Sequence, residues 1–109
     1  MIKGDSDDPL NKPLAAAADA QGNIFVADTS NHRVVIYDSL GKKIKAFGGF
    51  GIGNGKFNYP SGLALSPENK LYVADSQNGQ IQVFDHLGTF LFAFPGNDLG
   101  ALSPLNRWR

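Results

Sequence analysis

The segment KLYVADSQNGQIQVFDHLG, residues 70–88, has a second version 47 residues upstream, where the chain reads NIFVADTSNHRVVIYDSLG over residues 23–41. The two stay in register beyond these limits. Pro13 falls on Pro60, Ala17 on Ala64, Asp28 on Asp75, Asn31 on Asn78, Asp38 on Asp85 and Ala46-Phe47 on Ala93-Phe94. A period of 40 to 50 residues with strand-like content marks an array of supersecondary units, each unable to bury its own apolar face and so needing a neighbour.

Within a unit, short runs of β-branched and aromatic residues alternate with turn residues. The first unit gives strands at residues 14–18, 24–27, 33–37 and 43–47; the second gives them at 62–65, 71–74, 80–84 and 89–94. The intervening segments are rich in Asp, Asn, Ser and Gly, whose side chains or backbone freedom suit tight turns. Gly79 stands where the first unit has His32, as a position of positive φ would require. The expectation is an all-β chain of two four-stranded antiparallel meanders. Its parts are a connector over 1–12, a first unit over 13–48, a glycine-rich linker over 49–59, a second unit over 60–96, and the start of a third unit over 97–109. Pro104-Leu105-Asn106-Arg107 there echoes Pro9-Leu10-Asn11-Lys12.

The consensus P-x-G-(I/L)-A, then (I/L)-(Y/F)-V-A-D-(S/T)-x-N, then (V/I)-x-(V/I)-(Y/F)-D-x-x-G resembles the NHL repeat. The second unit carries it as Pro60 to Ala64, Leu71 to Asn78 and Ile81 to Gly88, and the first departs at Ala15, where the pattern has glycine. The resemblance implies that each unit is a blade of a β-propeller, commonly six-bladed. Two blades cannot close a ring, so further blades are expected, from other copies of the chain or from a longer chain. Three copies would supply six; a homo-oligomer, with the trimer favoured, is the expectation.

Composition narrows the chemistry. Formal charge balances at zero, which gives nucleic acid no electrostatic attraction, and the lysines at 42, 43 and 45 have no counterpart at 89, 90 and 92. No apolar run approaches the roughly 20 residues of a membrane span. Cysteine is absent, removing thiolate chemistry. The glycines of residues 48–59 lack the lysine-serine or lysine-threonine ending and following helix of a phosphate loop. Some NHL-like propellers are metal-dependent lyases or lactonases with ligands on the innermost strands, and others bind single-stranded RNA. Here the innermost strands carry no ionisable side chain, and His32 and His86 occupy different turns. Asp28 and Asp75, each three residues ahead of an amide, read as turn caps in preference to acid–base or calcium carboxylates.

The expected function is therefore a non-enzymatic binding and assembly module, without cofactor, whose ligand is a protein or other molecule. The expected binding face comprises the second-to-third-strand turns and the linker: Ser30, Asn31, His32, Arg33, Gln77, Asn78, Gln80, Phe50, Phe57 and Tyr59. The aromatics at 90, 92 and 94 are read as one strip on an outer strand, packed against a neighbouring blade or the tail with Trp108 as its anchor, or else serving as a docking strip.

Overall fold

Alternating apolar runs and Asp-led turns produce two sheets of the same plan. The computed structural model describes residues 8–96. The first sheet holds β1 (Ala15–Ala18), β2 (Ile24–Asp28), β3 (Arg33–Tyr37) and β4 (Lys43–Gly48); the second holds β5 (Pro60–Leu65), β6 (Leu71–Asp75), β7 (Gln80–Phe84) and β8 (Phe90–Pro95). Each is antiparallel with its strands paired in chain order. All eight expected strands are present, with ends displaced by no more than two residues. Residues 97–109, including Trp108, lie outside the described residues, as do residues 1–7.

The hairpin turns are closed by their own side chains. Asp19 Oδ1 accepts the backbone N–H of Gln21 and Asn23, Asp38 Oδ1 those of Leu40 and Lys42, and Asp85 Oδ1 those of Leu87 and Thr89. Ser66, which stands 47 residues after Asp19, does the same with its Oγ for Lys70 N–H. Such bonds offer the backbone a local partner where the ladder must stop. Between β2 and β3, and again between β6 and β7, a single 3-10 turn ends in a left-handed residue, His32 at φ 56° and Gly79 at φ 65°.

Strand register sorts each sheet into two faces. In the first, Phe25, Val34, Ile36 and Phe47 point one way; in the second, Leu71, Val73 and Phe84 point back to meet them, with Leu63, Leu65 and Phe90 alongside. This inter-sheet cluster is the main core, and Phe57 of the linker is sealed into it. Two smaller clusters lie on the outward faces. One gathers Ala74, Ile81 and Val83 with Tyr72 and Phe94; the other gathers Val26, Val35 and Tyr37 with Ile24 and Leu10.

The repeat relates these clusters. Moving 47 residues along turns Ile24, Val26 and Tyr37 into Leu71, Val73 and Phe84, and Leu10 into Phe57. It also turns Phe25, Val34, Ile36 and Phe47 into Tyr72, Ile81, Val83 and Phe94. Each sheet thus shows one kind of face forward and another kind back, and the two kinds meet once inside the chain.

The aromatic strip expected on β8 is broken. A bulge between Val83 and Phe84 pairs Phe84 with Phe90 and Val83 with Phe92, leaving Leu91 as the extra residue. One inserted residue reverses side-chain direction. Phe90 therefore joins the inter-sheet core, while Phe92 and Phe94 stack on the opposite face with ring centroids 6.3 Å apart.

Candidate functional site

Two matched joints tie an incoming segment to the sheet that follows it. In the first, the buried Asp28 accepts the backbone N–H of Asn11 at 2.6 Å and the side-chain N–H of Asn31 at 2.9 Å, and Ser30 N–H donates to the Asn11 carbonyl at 3.0 Å. In the second, the buried Asp75 accepts Asn58 N–H at 2.7 Å and Asn78 Nδ2 at 2.8 Å, and Gln77 N–H donates to the Asn58 carbonyl at 3.0 Å. The residue after each asparagine, Lys12 or Tyr59, has positive φ. The two aspartates do accept backbone amides. They take them from a segment 17 residues earlier, however, and make no cap to their own turn, which corrects the local reading.

The joints differ in charge. Arg33 Nε donates to Asp28 at 2.6 Å while its Nη1 holds Asp8 at 2.7 Å, and Lys43 Nζ also reaches Asp8 at 3.1 Å. The Arg33 hydrogen bond, seconded by that of Lys43, holds the Asp8 carboxyl below its ordinary range. Asp75 instead takes neutral donors, Gln80 Nε2 and Gln82 Nε2, each at 3.1 Å. Gln82 is fully buried and also bonds the linker at Gly55 N–H and the Lys56 carbonyl. Its signal in the sequence was a second glutamine at an inward position of β7, where the first unit has Val35.

The linker is consequently a fixed structure. It is bonded to the first sheet by Gly49 N–H to the His32 carbonyl at 2.8 Å and by Tyr59 N–H to His32 Nδ1 at 3.0 Å. Asn78 Nδ2 to the Gly51 carbonyl and Ser76 Oγ to the Tyr59 carbonyl bond it to the second. As an acceptor from Tyr59, Nδ1 of His32 leaves the ring proton on Nε2. Around this imidazole stand Phe50 and Tyr59, edge to face at centroid distances of 5.0 and 4.5 Å. Phe50 is 70% exposed and Tyr59 45%, with Ile52 exposed beside them in the same linker. A lone isoleucine among glycines was the cue to Ile52.

The ten residues expected to bind separate into three groups. His32, Phe50 and Tyr59 form one aromatic patch, and Gln77 stands exposed on the neighbouring turn. Asn31, Arg33, Asn78 and Gln80 have side chains engaged in the joints, and Ser30 contributes its backbone. Phe57 is 0% exposed and packs between the sheets, with Gly48 so close that a Cβ there would lie 2.6 Å from the Phe57 ring. It is core and not binding surface. The lysine cluster is dispersed: Lys43 turns to Asp8 and Lys45 to the Leu87 carbonyl. Among the described residues no three His, Asp or Glu side chains converge as metal ligands.

The NHL-repeat profile matches residues 10–37 and 57–84, each beginning at a linker segment and running to the end of the third strand. The chain belongs to the NHL-repeat family. Its two NHL units are the two sheets, and NHL repeats are in general protein-interaction modules. The RING finger protein nhl-1 of Caenorhabditis elegans is 41% identical over 56 residues, which is 51% of this chain and 6% of that protein. A crystal structure of a Bacteroides fragilis protein assigned as exported superposes with a TM-score of 0.71 at 16% identity, covering 86% of this chain and 27% of the other. That likeness is one of fold. The NHL chain spans a small part of both relatives.

Proposed function

We propose that this NHL chain is a non-enzymatic binding and assembly module whose recognition face is the aromatic patch of His32, Phe50 and Tyr59. The observation that carries the reading is the contrast between rigidity and exposure. The linker is bonded to both blades, yet holds Phe50, Tyr59 and Ile52 out in water. Rigid, amphipathic aromatic side chains give a protein ligand contact area at little entropic cost. Gln77 at the edge supplies a hydrogen-bonding group that the joints leave available.

A non-catalytic role fits the same geometry. Nδ1 of His32 is occupied, and β1 and β5 present alanines, glycine, leucines, proline and one serine where propeller enzymes carry ligands. The finer architecture, a six-bladed ring completed by copies of the chain with the trimer favoured, belongs to this proposal. It is supported by the forward and backward faces that meet once within the chain.

The test begins with peptides selected from a random library against the folded chain and titrated by calorimetry. Phe50→Ala and Tyr59→Ala should each weaken the selected peptides by about tenfold or more, about 1.4 kcal/mol, with circular dichroism unchanged. Peptides that bind both variants as tightly as the original chain would overturn the assignment of the face.

A further inference from the structure

We infer that the outer rim of blade 2, at Phe92 and Phe94, docks on the Leu40-Gly41 turn of a second copy of this chain. This rests on the reading of the chain as an assembly module and names the surfaces that meet. Inside the chain the corresponding contact is already made. Lys45 Nζ donates to the Leu87 carbonyl at 2.8 Å, and the Phe47 ring lies so close over Gly88 that a Cβ there would sit 2.7 Å from Cδ1.

One unit further on, Phe92 takes the place of Lys45 and Phe94 that of Phe47. Phe94 pairs with Ile81 as Phe47 pairs with Val34, so both rings project from the forward face in the same register. The socket repeats as well. Gly41 and Gly88 have φ of 84° and 87°, each as the last residue of an Asp-capped turn whose amide returns to the aspartate carbonyl. A Phe94 ring can therefore approach Gly41 as Phe47 approaches Gly88.

Both surfaces are open among the described residues. Leu40 is 92% exposed and Phe92 47% exposed, both apolar, at positions that the internal contact brings together. Substituting phenylalanine for lysine exchanges a bond to a carbonyl for apolar contact with the leucine side chain. Continuity with the internal blade-to-blade contact identifies the occupant as another copy of the same unit. The contact is head-to-tail, since Phe92 meets Leu40 and not another Phe92.

The chain has no cysteine, so Leu40→Cys and Phe92→Cys can be introduced singly and cross-linked with a short bismaleimide. Lys45→Cys with Leu87→Cys in one chain calibrates the reach of the reagent. Mixed Leu40→Cys and Phe92→Cys chains should link about tenfold faster than either variant alone, and Phe92→Asp should weaken self-association in sedimentation by about tenfold or more. Equal linking in mixed and unmixed samples, or self-association untouched by Phe92→Asp, overturns the inference. Because both substitutions are at exposed positions away from Phe50 and Tyr59, failure of peptide binding at the aromatic patch leaves this outcome separately readable.

Discussion

Asp75 accepts the backbone N–H of Asn58 at 2.7 Å, so the linker is fastened by a carboxylate belonging to the blade it has not yet entered. Asp75 is buried and gathers three amide side chains besides, from Asn78, Gln80 and Gln82. Asp75→Ala would remove the acceptor of the Asn58 N–H and of Gln80 Nε2, and one of the two acceptors of Asn78 Nδ2 and Gln82 Nε2, in a largely buried site. The expected loss is about 3 kcal/mol or more of unfolding free energy, read by urea titration. A loss below about 1 kcal/mol would show that the joint contributes little.

Phe57 seals the inter-blade core, with Phe47 and Phe84 rings at 6.3 and 5.6 Å. Phe57→Ala should cost about 3–5 kcal/mol, through lost transfer energy and the cavity left behind. Phe50→Ala in the same linker, whose ring is in water, should change stability by no more than about 0.5 kcal/mol. Thermal melts of the two variants side by side check the contrast.

Two glycines separate backbone cost from steric cost. A Cβ on Gly79 meets nothing within 4 Å, so Gly79→Ala should cost about 1 kcal/mol from its left-handed φ alone. Gly88→Ala shares that conformation and adds the collision with Phe47. Its cost should be at least about twice as large, measured by denaturant unfolding.

Acid should loosen the turns. The Asp85 carboxyl is held below its ordinary value by the Thr89 N–H first, with the Leu87 N–H adding to it against the opposing effect of burial. Asp8 is lowered as well. A depressed folded-state value contributes stability that is present above the unfolded carboxylate pKa, about 3.9, and is lost as pH falls through the folded value. Thermal midpoints should therefore drop below about pH 4. Asp85→Asn, which keeps an acceptor oxygen but cannot protonate in this range, should show a shallower drop.

Much of the fold was legible because the repeat samples every position twice. A run such as Val34 to Tyr37 is ambiguous alone; with Ile81 to Phe84 at the same offset, it marks a strand whose alternation serves two faces. His32 and Gly79 likewise revealed a left-handed position by substitution across the pair. The site was less legible, since pattern cannot report where a side chain spends its hydrogen bonds. Arg33 and Asn31 look like surface residues until Asp28 and Asp8 are seen to hold them. Phe57 looks like a loop aromatic until Gly48 gives it room to enter the core. The bulge at Leu91 had no composition signal, and it reassigns Phe90 to the opposite face from Phe92.

The fastening of Asn58 by Asp75, and of Asn11 by Asp28, places each latch downstream of the segment it holds. As the chain leaves the ribosome, the carboxylate that fastens each of these asparagines emerges 17 residues after it. The transplantable piece is thus a linker together with the blade downstream. Grafts cut just before Gly49 keep a latch and its catch on one fragment, whereas cuts before Pro60 divide them.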